Sequence, residues 1–268
     1  MKTGIANGIY TGINDGIEQG AYTGIDTGLA NGVYNENILQ NAIVTNGLLL
    51  YLDSSQNLSY PRSGTVWRDL TTNNNNGTLT NGPAFNSRNG GSLVFDGSND
   101  YVATNYTPTI GNSNITYSVW FKTSTLQTGG LIGVRQSPIT IQVVLVVCSP
   151  VGTVGGNLFM SSFDGVTNRT GSTTETYVDN KWYNAVMIHT STSDTLYVNG
   201  ILTKINLSVG QNIISTTNLL IGCNPNNNIP LSGWVFNGNI SNSLVYNRAL
   251  TAAEVLQNYI ATKSRFNL

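Results

Sequence analysis

Two carboxylates and a side-chain amide fall within five residues of one another in "FDGSNDYV". Calcium takes several hard oxygens from carboxylates, amides and carbonyls of a single loop. Asp96, Asn99 and Asp100 are therefore the candidate metal ligands, and Ca2+ is the one cofactor that the sequence suggests. The same letters also serve a purely structural purpose. Asp96-Gly97 suits a tight turn, and Asp100 can accept hydrogen bonds from nearby backbone amides. Both readings stay open, with the turn the stronger. The loop "TTNNNNG" is rich in amide oxygens but has no carboxylate between Asp69 and Asp96, so it would not hold a hard cation alone.

Catalytic chemistry has less to work with. Cleaving a glycosidic bond needs two carboxylates that flank it, and the four glutamates, Glu18, Glu36, Glu175 and Glu254, are scattered. The single histidine, His189 in "KWYNAVMIHT", has no acid or serine beside it in sequence and reads as a strand residue. "GSTTE" and "GTVGG" lack the setting of a phosphate loop or a nucleophile elbow. No catalytic residue is assigned, and a non-enzyme is expected. For carbohydrate, the tool is an aromatic platform with polar loops around it. Trp234, after the loop in "NNNIPLSGWVFNG", is the candidate ligand-binding residue, whereas Trp67, Trp120 and Trp182 read as packing. Cys148 and Cys223 sit in apolar contexts and read as two buried thiols, without metal-type spacing.

These residues are carried by a chain of many short strands. Alternation is clear in "NITYSVWFKTS", where Ile115, Tyr117, Val119 and Phe121 alternate with Thr116, Ser118, Trp120 and Lys122. "GLLLYLD", "GLIGVR", "ITIQVVLVV", "NLFMSSF", "DTLYVNGIL" and "NLLIGC" add further strands, with turn signals between them. "GSLVFDG" and "DYVATN" read as a strand, a sharp turn and a return. "LTAAEVLQNYI" is one helix, with a Thr251/Glu254 capping box and an apolar stripe of Val255, Leu256 and Tyr259. The pattern predicts an all-β antiparallel sandwich or barrel with one short C-terminal helix. Charged residues make up 9% of the chain and the formal net charge is -1, against about 25% charged in ordinary domains. That balance gives no reason to expect nucleic acid or an anionic membrane as partner. "ITIQVVLVVC" is far short of the roughly 20 residues of a spanning helix, so membrane insertion is not expected. The start "MKTGIANGIY" shows no secretory h-region.

In their order, "GSLVFDGSNDYV", "ITYSVWFK", "KWYNAVMIHT" with "DTLYVNG", and "FNGNISNSLVYNRALTAAEV" resemble the laminin-G-like, concanavalin-A-like lectin/glucanase superfamily. The resemblance runs from about Gly47 to Thr262. It implies a jelly-roll sandwich of two antiparallel sheets with recognition at its rim loops, where relatives often hold calcium. "GSLVFDGSNDYV" would be the opening hairpin. Glucanase relatives carry acids alternating along one strand, and no such run occurs here. Relatives often have Asp-Glu in the last strand where this chain has Ser241-Asn242, so no role of those acids carries over.

Ahead of the sandwich lies "TGIANGIYTGINDGIEQGAYTGIDTGLANGVYNE". Gly4, Gly8, Gly12, Gly16, Gly20, Gly24, Gly28 and Gly32 keep a four-residue beat, and Ile5, Ile9, Ile13 and Ile17 follow the first four. As an isolated helix the glycines would each cost about 1 kcal/mol relative to Ala. A four-residue period would also drift by about 40° per repeat around the helix. An extended or turn-rich repeat is preferred, in which glycine lets another backbone come close. The division expected is residues 1–38 as an oligomerisation or capsid-anchoring segment and 39–268 as the laminin-G-like domain. The function expected is a non-enzymatic virion surface protein, a capsid decoration or fibre. Its partners would be itself (a homo-oligomer, by analogy a trimer), capsid proteins and host-surface glycans. The alternative is a secreted or cell-surface lectin-type adhesin, with a glycan hydrolase a distant third.

Overall fold

A computed structural model describes residues 42–111, 113–137, 141–149, 153–207 and 210–268. The glycine repeat, with Gly4 to Gly32 and Ile5 to Ile17, lies outside the described residues, as does the expected division after residue 38. In chain order the first strands are β1 (Leu48–Asp53), β2 (Val66–Trp67), β3 (Gly77–Thr80), β4 (Ala84–Asn86), β5 (Ser92–Asp96), β6 (Tyr101–Thr104) and β7 (Ile115–Lys122). There follow β8 (Gly129–Gln136), β9 (Ile141–Cys148), β10 (Asn157–Asp164), β11 (Asn168–Thr176), β12 (Trp182–His189), β13 (Ser193–Val198) and β14 (Ile201–Leu207). The last are β15 (Leu220–Ile221), β16 (Cys223–Asn226), β17 (Ile229–Val235) and β18 (Asn237–Tyr246), before helix α1 (Ala252–Lys263).

They build two eight-stranded antiparallel sheets. Sheet I runs β14-β13-β12-β7-β18-β5-β4, with β1 also on β18, and sheet II runs β11-β10-β9-β8-β15-β6-β3-β2. The short β16–β17 hairpin forms its own ladder. The alternation of β7 does what its pattern requires: Ile115, Tyr117, Val119 and Phe121 join the main core. From sheet II, Leu145, Val147, Leu158 and Met160 meet them there. The all-β sandwich with one C-terminal helix is thus the fold.

One expectation is corrected. β5 and β6 are not a hairpin, because β5 pairs with β4 and β18 in sheet I while β6 pairs with β3 and β15 in sheet II. The Asp96–Asp100 turn carries the chain from one sheet to the other. A sharp Asp-Gly turn looks the same in sequence whichever way the return strand leans.

Outside sheet I a second layer forms. Thr251 caps α1 with the expected capping box. Arg248 grips Glu254 through two hydrogen bonds of 2.8 and 2.7 Å, which holds the Glu254 carboxyl down to about 2. Val255 is buried on Val186, Leu244 and Tyr246, whereas Leu256 is exposed. Trp120 and Trp182 lie on this outer face rather than between the sheets. Phe266 stacks on Trp120 and packs tilted against Trp182, at 4.2 and 4.6 Å between ring centroids. Tyr259 covers Trp120 at 5.7 Å, and the indole N–H of Trp120 donates to Thr262 Oγ1 at 2.9 Å. Polar side chains close the free edge of β1: Asp69 accepts from the Tyr51 amide at 2.9 Å, and Asn75 Nδ2 donates to the Leu49 carbonyl at 2.7 Å. That is the purpose of the Asn-rich loop, since an unpaired edge invites unwanted strand pairing.

Candidate functional site

The outer face of sheet II is built differently. Its register places Val144, Val146 and Cys148 of β9 opposite Ser161, Phe159 and Asn157 of β10, with Gln142 opposite Phe163. Strand alternation puts all of them on one face, since Leu145 and Val147 point inward. The β16–β17 hairpin folds back over this face at β8. A Cβ on Gly130 would collide with the backbone of Cys223 and Asn224, so glycine there lets the hairpin backbone rest directly on the sheet. Thr128 Oγ1 donates to the Gly233 carbonyl at 2.8 Å and pins the far strand of the hairpin. The next residue is Trp234.

Trp234 packs its ring against the Val144, Val146 and Cys148 floor together with Phe159, and both rings stay half-buried. Phe163, four residues along β10, is half-buried too. At about 3.3 Å per residue, Phe159 and Phe163 are on the order of 13 Å apart. Between them Gln142 Nε2 donates to Ser161 Oγ at 2.6 Å. Arg135 on β8 lies opposite Gln142, and its Nη1 donates to Asn226 Oδ1 of the hairpin at 3.3 Å. The result is an apolar floor with three half-exposed rings and a few polar groups. Such a surface can stack on sugar rings and hydrogen-bond their hydroxyls. Sequence reasoning singles out Trp234, and Phe159, Phe163, Gln142 and Arg135 are not among its candidates. Aromatic residues on the polar-facing positions of "NLFMSSF" were the available signal.

The other candidates fall elsewhere. Asp96, Asn99 and Asp100 do come together, in a turn held by its own hydrogen bonds. Asp96 Oδ1 accepts from the Ser98 and Asn99 amides at 2.7 and 3.3 Å, and Asp100 Oδ2 accepts from the Asp96 amide at 3.1 Å. The Ser98 N–H lowers the Asp96 carboxyl, while burial raises that of Asp100. Calcium takes six to eight oxygens, and in this turn Asp96 Oδ1 and Asp100 Oδ2 already accept backbone amides. Among the described residues, no group of three or more His, Cys, Asp or Glu side chains gathers as a metal site. Both cysteines are free and buried.

His189 does have an acid and a serine near it, brought by the fold rather than by sequence. Its Nδ1 lies 2.7 Å from Asp194 Oδ1. Ser162 hydrogen-bonds Asp194 Oδ2, and also Gln211 Oε1 at 2.7 Å. Arg169 reaches Asp194 at 3.3 Å and the Thr190 carbonyl at 3.0 Å. The group joins sheet I to sheet II inside the sandwich, with none of its five side chains more than 2% exposed. The Ser162 hydroxyl faces the carboxylate instead of the imidazole. This is a buried polar clamp between the sheets.

The family model for the concanavalin A-like lectin/glucanases superfamily, of laminin-G type, matches residues 96–256, more than half of the chain. The chain belongs to this superfamily. Among solved structures, this lectin-like sandwich is similar to the binding domain of Paraclostridial Mosquitocidal Protein 1, with TM-score 0.57 and 16% identity, over 82% of this chain and 52% of that one. It is also similar to the botulinum neurotoxin serotype D binding domain, with TM-score 0.58 and 14% identity, over 80% of this chain and 51% of that one. The chain thus spans about half the length of these toxin domains. Domain 4 of the extracellular arabinanase AbnA from Geobacillus stearothermophilus, solved in complex with arabinotriose, matches with TM-score 0.59 and 17% identity. Here 79% of this chain covers 98% of that domain. At these identities the likeness concerns the fold. No curated protein matches the chain in sequence. Toxin binding domains and an arabinanase domain are not virion proteins, and the expected virion-surface role draws no support from them. No helix of the described residues is long and apolar enough to cross a membrane.

Proposed function

We propose that this lectin-like domain is a non-catalytic glycan-binding module whose binding surface is the outer face of sheet II. One observation carries the reading: Trp234, Phe159 and Phe163 stand half-exposed around an apolar floor, with Gln142 and Ser161 between them, on the face that no helix of the described residues covers. The arabinotriose complex of the similar arabinanase domain supports glycan as ligand class. A non-catalytic role is supported by the acids available. β8 to β11, β16 and β17 hold two carboxylates, Asp164 and Glu175. Asp164 is tied to the Val166, Thr167 and Asn212 amides, so among the described residues of these strands no free pair flanks a bond on this face.

The likeness to toxin binding domains supports the setting of a lectin-type adhesin. A virion-surface protein with capsid partners and a trimer is the second reading, and it rests on the four-residue glycine beat of the sequence. Affinity electrophoresis through a polysaccharide panel tests the binding face. Wild type should be retarded by at least one polymer, and Trp234→Ala should lose about tenfold or more of that affinity while staying folded, as an anchor ring does. A folded Trp234→Ala protein that binds as wild type removes this face as the site.

A further inference from the structure

The half-buried and buried cations of the described residues have partners, with one exception. Arg169 has Asp194, Arg248 has Glu254, and Arg265 has Asp53. Lys122 lies over the Trp182 ring and Lys263 over the Tyr259 ring. Arg135 is half-buried as well, yet among the described residues it has neither a carboxylate nor an aromatic face. Its side chain has the Asn226 amide oxygen at 3.3 Å, a neutral acceptor. Burial disfavours its charged form. Withdrawing a guanidinium from water without an anion is unfavourable, and this one sits on the face with the exposed rings. Arg135 is opposite Gln142, and Gln142 is two residues, about 7 Å, along β9 from Val144 of the Trp234 floor.

Resting on the glycan reading above, we infer that the ligand is an acidic glycan, and that Arg135 receives its carboxylate or sulfate. The planar fork of arginine donates two parallel N–H bonds to either anion. A saccharide chain lying along the sheet would stack on Trp234 and Phe159 and place an acidic group beside Gln142, between Arg135 and Phe163. With a formal net charge of -1, the protein has no general attraction for polyanions, so the preference must be local.

The test is affinity electrophoresis with acidic polymers and their neutralised forms. Polygalacturonate and alginate carry carboxylates only, and carrageenan carries sulfate esters only; the carboxyl-reduced and desulfated polymers are the matched controls. At least one acidic polymer should retard the wild-type protein, and its neutral form should do so about tenfold less, the size of one charged hydrogen-bonded contact. Arg135→Gln should abolish that difference, and Arg135→Lys should restore part of it. Retardation by carboxylate or by sulfate polymers identifies which anion is bound. Equal binding of acidic and neutral forms, or Arg135→Gln retaining the preference, overturns the inference and leaves the glycan site standing. If no polymer in the panel retards the wild type, the glycan reading fails, and the inference fails with it. Equal thermal midpoints for the variants and wild type guard against misfolding as the cause.

Discussion

Sheet I and sheet II each turn an aromatic-bearing face away from the core, and they treat it in opposite ways. On sheet I, Trp120 and Trp182 are sealed beneath α1 and Phe266, and the Trp120 indole N–H has a partner in Thr262. On sheet II, Trp234 and Phe159 rest on the Val144, Val146 and Cys148 floor and, like Phe163, stay half-exposed. A ring with every face in contact contributes to stability; one with a face left over can bind. The cover makes the difference, since the residue type is the same.

Exchanging the tryptophans should break this contrast most visibly. Trp120→Ala should cost about 3–5 kcal/mol of unfolding free energy, as large buried aromatics do. Trp234→Ala, half-exposed, should cost about 1–2 kcal/mol. Denaturant melts measure both; equal losses would mean that the two faces are both structural. Gly130→Ala comes next. Its new methyl group would meet the backbone of Cys223 and Asn224, so the hairpin must lift, at about 1–3 kcal/mol as overpacking costs. Glycan affinity should fall with it because Trp234 rides on that hairpin. Unchanged affinity would separate the hairpin from the binding face.

The smallest effect concerns the cover of sheet I and is pH-dependent. Glu254 has its folded pKa lowered to about 2 from 4.5, first through its hydrogen bonds to Arg248. A lowered folded pKa stabilises the fold above the unfolded value, and that contribution is lost as pH falls from about 4.5 to 2. Allowing for its partial exposure, Glu254→Gln should remove about 1 kcal/mol at neutral pH and flatten the stability profile across that window. Binding on sheet II at neutral pH should be unchanged, and a loss there would show that the two faces are coupled.

Much of this fold was legible, and for a clear reason. Alternation in β7 and the Thr251/Glu254 cap are local properties of consecutive residues. What the sequence could not display is which face of a strand receives a cover. "ITIQVVLVVC" is apolar on both faces because Trp234, some ninety residues later, lies over one of them. Likewise, Ser162 faces Arg169 across one strand pair and His189 faces Asp194 across another, but the two pairs meet from opposite sheets, and no spacing rule marks a contact between strands that do not pair. The Asp96–Asp100 turn was seen correctly as a turn, but its partners were hidden because β5 and β6 separate after it.

Cys148 gives the open face a clock. Its thiol is fully buried in the floor under Trp234, and burial pushes its pKa up to about 12. A closed thiol of that kind has almost no thiolate to react. Alkylation must therefore wait for the Trp234 lid or a larger part of the sandwich to open, and its rate becomes the product of the free-thiol rate and the open fraction. A ligand stacked on Trp234 holds the lid shut, so occupancy of the face is readable as a slower labelling half-time, without any tag on the ligand.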